Sequence, residues 1–375
     1  ALAAILYQLL VGELPLAGRD KQHWRQLHAG VLPRPAAELS PDVPQAISLI
    51  LAKALAKEPD ARYQSAQALA VDLAHCQRQW QASQTIATFT LGCSDPMPCT
   101  HERLYGRSSE LQSIARILKT LRRDSTAQAL FISGATGMGK SSLVKAALRD
   151  HDAGYWAAGK CNSLEQAIPY APWVDILGAL TTQLLAKNPA DLETIRSQIQ
   201  QRTQDRGRLL GTLAPELKLI IGPMAEFPQQ PSRLALEKEL RAIVDFLQLF
   251  TAPGRPLILF FDDLQWADDA SLHLLRELLA RSPANLLLIF ASRCNAAGNP
   301  AGRAYELANS THLTPLHSRH LELLALPVDA VAQLISERYH VSTDDAQQVA
   351  ELVHAKTAGN PLFARQILKA MVEDK

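Results

Sequence analysis

The residues Gly134-Ala135-Thr136-Gly137-Met138-Gly139-Lys140-Ser141 constrain this chain more than any other feature. They form a full G-x-x-x-x-G-K-[ST] match, with an apolar run before them and a helical pattern after. The glycines permit backbone conformations that turn successive N–H groups inward into an anion nest, and the following helix adds its positive N-terminal end. Lys140 is expected to reach the β- and γ-phosphates of ATP, and Ser141 to place its hydroxyl on Mg²⁺, with Ser142 next to it at the helix start. The alternative is an ordinary glycine turn, but a chance match in a chain of this length arises on the order of one time in a hundred.

Around this loop, short apolar runs lead into helical stretches, the pattern of a parallel sheet covered by helices. The strands are expected at 129–133, 155–158, 257–261, 286–291 and 320–324, with a helical insertion at about 164–250 interrupted near Pro215 and between Gly222 and Pro231. Leu257 to Phe261 is all apolar and runs into Asp262-Asp263. Such a strand is buried on both faces, so its carboxylates emerge at the carboxyl edge where ligands bind, as in a Walker B element. Asp262 is assigned to Mg²⁺, through water. Asp263 is assigned to polarise the attacking water, and strand alternation is expected to separate the two. The stretch from Lys140 to Asp262 is too long for the smallest GTPases and suits an ATPase with an insertion. Arg293 follows another buried run, where a cation senses a γ-phosphate, although an arginine at a strand end is more often a solvated surface residue. Gly359-Asn360-Pro361 precedes a helix, and proline favours the first helical turn regardless of function.

Residues 1–80 read as helical. Ile5, Leu6, Leu9 and Leu10 share a face, and Ser65 is expected to cap a helix whose Leu69, Leu73, Cys76 and Trp80 share a face. Periodicity is lost over 81–100, which reads as a linker. The division is therefore 1–80, the linker, a nucleotide-binding core over 101–326, and the start of a helical lid over 327–375. The chain begins at Ala1 inside a helical pattern, which suggests a fragment of a larger protein. Lys plus Arg number 38 against 37 Asp plus Glu, and no dense basic block stands out, so nucleic acid is not the expected partner. No apolar run is long enough to cross a bilayer. Five cysteines without a C-x-x-C pair fit a reducing cytoplasm. Cys93, Cys99 and His101 are the nearest approach to a metal cluster, and three loosely spaced ligands more often form an ordinary loop.

Residues 104–369 resemble the ATPase module of the Orc1-like AAA and STAND group, in the version found in bacterial proteins that join a serine/threonine kinase, an ATP-binding module and a sensor histidine kinase. The matching strings are Leu104-Tyr105-Gly106-Arg107 with Glu110, the phosphate loop, Gly159-Lys160 with Pro169-Tyr170, and Pro215-Glu216-Leu217 with Ile221-Gly222. Asp262-Asp263-Leu264-Gln265-Trp266-Ala267-Asp268 and Lys356-Thr357-Ala358-Gly359-Asn360-Pro361-Leu362-Phe363 complete them. The resemblance implies an α/β P-loop NTPase fold of the ASCE type, with the sensor strand between the P-loop strand and the Walker B strand. It also implies that the backbone at Gly106 and Arg107 borders the adenine, that Arg293 is the sensor and that Pro361 packs on the base. The chain departs from many relatives in lacking an acidic continuation after Arg293, which bears on hydrolysis rather than binding.

Residues 1–80 resemble the end of a eukaryotic-like serine/threonine kinase domain, through Leu6 to Pro15 and Lys57 to Ala66, with Asp72-Leu73 and Cys76. The kinase glycine-rich loop, catalytic-loop aspartate and D-F-G segment are missing, so this part carries no phosphoryl-transfer chemistry. The leading expectation is a nucleotide switch that binds Mg-ATP, hydrolyses it slowly and acts between an upstream kinase lobe and downstream signalling domains, with self-association a further expectation. A DNA-dependent ATPase, distinguishable by salt-dependent DNA binding, and an interaction scaffold without turnover are the alternatives.

Overall fold

The computed structural model describes residues 2–16, 33–56, 61–63, 65–89, 91–92, 104–149, 154–162, 168–203, 206–222, 228, 232–252, 254–281, 283–294, 302–308, 316–339 and 341–373. The chain divides into two compact units, 1–103 with 184–188, and 104–183 with 189–375.

The first unit contains α1 (Leu2–Val11), α2 (Ala36–Leu39), α3 (Gln45–Ala54) and α4 (Ala66–Ser83). Ser65 caps α4 as expected, accepting from the Ala68 N–H at 3.1 Å. The hydrophobic stripes pack only in part, with Leu6 of α1 and Leu69 and Leu73 of α4 half-buried against two small cores. On α1 the buried residue is Tyr7, whose hydroxyl donates to Arg34 O at 2.8 Å, while Ile5, Leu9 and Leu10 are exposed. On α4 the buried positions are Ala68, Asp72 and Cys76, and Trp80 is exposed. Asp72 can be buried because it accepts from Tyr63 Oη at 2.7 Å and from the Gly92 N–H at 2.8 Å. Ile86, Phe89 and Leu91, inside the stretch read as a linker, pack against the cluster of Ala46, Ile50 and Cys76.

The second unit is a parallel sheet with helices. Its elements begin with α5 (Ser108–Asp124), β1 (Gln128–Ser133), α6 (Lys140–Arg149) and β2 (Tyr155–Lys160). An insertion follows, comprising α7 (Ala171–Leu185), α8 (Pro189–Thr203), α9 (Arg208–Leu213), α10 (Lys218–Ile221) and α11 (Arg233–Leu247). Pro215 opens a 3₁₀ turn, and Gly222 at φ 86° ends α10, so both interruptions have a backbone cause. The remaining elements are β3 (Leu257–Asp262), α12 (Asp269–Arg281), β4 (Leu286–Ser292), α13 (Arg303–Ala308), β5 (His317–Glu322), α14 (Val328–Tyr339), α15 (Thr343–Thr357) and α16 (Pro361–Glu373).

The strand order is β2-β3-β4-β1-β5, all parallel. β4 therefore lies between β1 and β3, the arrangement implied for the sensor strand. The three inner strands, β3, β4 and β1, are buried along almost their whole length because both faces are covered, which explains their unbroken apolar runs. Ile114, Ile117 and Leu121 of α5 and Leu143, Val144 and Leu148 of α6 join Ile132, Phe260 and Ile289 in one core. Burying each such side chain contributes about 1.5–3 kcal/mol. β5 begins three residues earlier than the apolar pattern suggests, at His317 paired with Gln128. An edge strand needs one backbone partner only, so polar residues such as Ser318, Arg319 and His320 stay exposed on it and blunt the edge. The C-terminal helices α14, α15 and α16, the segment expected to form a lid, have their own core, formed by Val331, Ile335, Ala346, Ala350, Val353 and Leu368. Among the described residues no helix is long and apolar enough to cross a membrane.

Candidate functional site

The phosphate loop leaves β1 at Ser133 and enters α6 at Lys140. Gly137 and Gly139 take φ values of 84° and 86°, which a β-carbon disfavours. Lys140 is buried, and its Nζ turns back into the loop, donating to Gly134 O at 2.8 Å and Ala135 O at 3.0 Å. Burial lowers its pKa from the ordinary lysine value, against the opposing pull of the Asp263 and Asp262 carboxylates. The Arg293 charge is felt at the same ammonium and also lowers it. Ser141 Oγ donates to Asp262 Oδ2 at 2.6 Å, and Ser142 follows on α6. Loop and acidic strand end thus meet at a hydroxyl and a carboxylate, the donor pair suited to Mg²⁺.

The two aspartates are separated by a different device from the one expected. β3 ends at Asp262, and Asp263 is not an extended residue of opposite facing but a left-handed one, φ 54° and ψ 41°, opening a 3₁₀ turn over Leu264–Trp266. Aspartate tolerates this region better than most residues because its short polar side chain bonds locally; here the Asp263 N–H donates to Asp262 Oδ1 at 3.1 Å. The Asp263 carboxylate is held by Gln265 Nε2 at 3.0 Å, and the exposed Lys160 ammonium lies 3.9 Å away. Gln265 Oε1 in turn accepts from the Arg293 N–H at 3.2 Å, joining the acidic turn to the end of β4. The exposed Arg293 guanidinium lies 5.8 Å from the centre of the Trp266 ring.

Gly106 and Arg107 sit elsewhere on the rim. Gly106, φ 62°, packs so closely on α14 that an added β-carbon would lie 2.7 Å from Ala330 Cβ. The Arg107 guanidinium is buried and donates to Glu110 Oε1 at 3.0 Å, Leu324 O at 2.7 Å and Met138 O at 3.3 Å. Desolvation pushes the Glu110 carboxyl up, but hydrogen bonds from Ser109, its own backbone and Arg107 hold it below the usual value. Pro361 is the first residue of α16. Its neighbour Asn360 is buried and donates to Thr136 O at 2.8 Å. Asn360 and Gln265 lie within the stretches that carry the family resemblance, but only tertiary contacts give them a place in the site.

Other members of those strings are structural. Gly159 admits no side chain because the Pro172 carbonyl at the start of α7 lies against it. Asp268 accepts from the Ser271 N–H at 2.7 Å, capping α12, and from the Tyr170 N–H at 3.2 Å. Burial, with Asp268, Asp263 and Asp262 adding to it, pushes the Cys161 thiol up to about 12, so it stays protonated at neutral pH. Cys93, Cys99 and His101 lie outside the described residues, and among those described no group of three or more His, Cys, Asp or Glu converges for a metal.

Residues 103–289 match the family model of the AAA ATPase domain. Hybrid signal transduction histidine kinase G of Dictyostelium discoideum is 28% identical over 74% of this chain and 9% of its own length. Histidine protein kinase 1 of Candida albicans is 23% identical over 92% of this chain and 16% of its own. The chain thus spans less than a fifth of these curated relatives, and both are eukaryotic histidine kinases, whereas the resemblance stated from sequence concerned bacterial proteins with a serine/threonine kinase. Among solved structures, a STAND protein with a tetratricopeptide repeat sensor from Pyrococcus horikoshii is 16% identical, covering 66% of this chain and 28% of that one, with a TM-score of 0.32. The Aeropyrum pernix Orc1 protein in complex with DNA is 14% identical, covering 70% and 58%, with a TM-score of 0.39.

Proposed function

We propose that the AAA ATPase domain matched over residues 103–289 is the nucleotide switch of a multidomain signalling protein: it binds Mg-ATP on Gly134–Ser141 and hydrolyses it slowly. The observation that carries this reading is the meeting of Ser141 and Asp262 at 2.6 Å, with Lys140 buried in the loop beside them. Mg²⁺, when bound, would supply charge neutralisation for the phosphates, with Ser141 and Asp262 as its holders. Lys140 would exchange its two loop carbonyls for phosphate oxygens. Asp263, kept apart from Asp262 by the left-handed turn, would orient and deprotonate water. Arg293 would sense the terminal phosphate, while Gly106, Arg107 and Pro361 would border the base.

The signalling context is supported by the relatives, which are histidine kinases many times longer than this chain. On this reading residues 1–80 are the end of a serine/threonine kinase lobe and have no activity of their own. The core over 101–326 and the lid from 327 pass the nucleotide state to neighbouring domains, in the cytoplasm and with self-association. Near-balanced charge supports a partner other than nucleic acid.

Lys140→Ala tests the site. It removes the one motif cation aimed at the phosphates, and fluorescent-nucleotide titration should show ATP affinity falling about 10- to 100-fold, the scale of a hydrogen bond to a charged group. Equal affinity in variant and parent would mean that the loop is not the site.

A further inference from the structure

An anion nest works only if its peptide planes are turned the right way, and two planes of this loop are held by the lid. Thr136 O accepts from Asn360 Nδ2 at 2.8 Å, and Gly137 O accepts from the Leu362 N–H at 3.3 Å. In a planar trans peptide the C=O and the following N–H point in opposite directions. Carbonyls aimed at α16 therefore turn the N–H groups of Gly137 and Met138 away from the lid. The Met138 N–H is accordingly directed into the loop, towards Ala135 O at 3.4 Å.

We propose that Asn360 is a positioning residue for phosphate binding: its amide fixes the Thr136–Gly137 peptide, and through it the adjoining Gly137–Met138 plane, so that the loop N–H groups face the phosphates, and it ties the loop to the first turn of α16. The proposal rests on the reading of Gly134–Ser141 as the nucleotide site.

Helix capping alone does not account for the arrangement. The cap uses Asn360 Oδ1, which accepts at 3.0 Å from the Leu362 N–H that is shared with Gly137 O, and leaves the amide nitrogen for the loop. Asn360 is 7% exposed, so a donor without a partner there would be costly. The contact is also closely packed: a β-carbon on Gly137 would lie 2.6 Å from Asn360 Oδ1 and 2.9 Å from Leu362 Cβ. Glycine at 137 is thus required by the lid as well as by φ. Behind Asn360, Gly359 O accepts from the Leu326 N–H at 2.9 Å, which anchors this turn to the segment between β5 and α14.

Capping and positioning separate cleanly by substitution. Asn360→Ser keeps a good capping oxygen and stays neutral, but its side chain is too short to reach Thr136 O. In the nucleotide-free protein, hydrogen exchange at the Met138 amide should quicken, while the Ala364 amide, bonded to Asn360 O, stays protected. ATP affinity by fluorescent-nucleotide titration should fall about three- to tenfold, the loss of one neutral hydrogen bond. Asn360→Asp, an equally strong cap without the donor, should repeat the exchange result in the nucleotide-free protein. Unchanged exchange at Met138 in both variants, or unchanged ATP affinity in Asn360→Ser, would overturn the proposal and leave Asn360 as a helix cap. Lys140→Ala measured alongside distinguishes the two levels. If it keeps its affinity, the phosphate-loop reading itself falls; if it loses affinity while Asn360→Ser does not, only the role of Asn360 falls.

Discussion

The phosphate loop and the acidic turn after β3 meet at Ser141 and Asp262, yet they are built by opposite means. The loop is a backbone device. On the proposed reading its working groups are N–H donors; its shape depends on Gly137 and Gly139 at positive φ, and its carbonyls are held by Lys140, Arg107 and Asn360. The acidic turn is a side-chain device, in which a left-handed non-glycine residue, Asp263, presents a carboxylate fixed by Gln265. The loop is therefore sensitive to anything that alters its peptide planes, including residues far away in sequence. The turn is expected to be sensitive to the identity of single carboxylates, even between adjacent aspartates.

The sharpest way to break this contrast is to remove one charge at a time from the turn. Asp263→Asn keeps the shape and much of the hydrogen bonding but removes the proposed proton acceptor, so single-turnover hydrolysis should fall at least about tenfold, towards the ~10²–10⁴ that general bases contribute. ATP affinity should stay within about a few-fold. Asp262→Asn should instead weaken Mg²⁺-dependent binding. If the two variants exchanged these outcomes, the roles would be reversed.

A smaller effect is expected at the exposed end of β4. Arg293→Ala should reduce the ratio of ATP to ADP affinity by about three- to tenfold, because the guanidinium has no γ-phosphate to contact in the diphosphate. Titrating both nucleotides against both proteins decides it, and a uniform loss would point to folding through the Gln265 contact instead.

The smallest effect on nucleotide chemistry belongs to Asp268, six residues from Asp262 in the same string. Asp268→Ala removes the cap of α12 and leaves the Tyr170 N–H without its acceptor. Thermal or denaturant unfolding should show a loss of about 1–2 kcal/mol, with ATP affinity within about twofold of the parent. A large loss of affinity would show that the turn is less modular than the comparison holds.

Much of this site was legible because its demands are local. Glycines at positive φ, a lysine at a helix start and a buried strand ending in carboxylates are each written within a few consecutive residues. The inner strands were legible for the same reason, since burial on both faces leaves an unbroken apolar run. β5 is less legible because an edge strand has no such requirement. On α4 the apolar stripe packs through Leu69, Leu73 and Cys76 but not at Trp80, and the fully buried line also takes in Asp72, whose partners Tyr63 and Gly92 come from outside the helix.

The sequence by itself determined the glycine loop between β1 and α6, the parallel character of the sheet and the acidic end of β3, because steric limits on φ and the cost of burying polar groups act residue by residue. Only the tertiary structure decided which polar atoms share a partner. It gave Asp263 a left-handed turn in place of strand alternation, set Gln265 between Asp263 and Arg293, and brought Asn360 to Thr136 across 224 positions of chain. Hydrogen bonds of that kind are directional and span any separation in sequence, so no local pattern announces them.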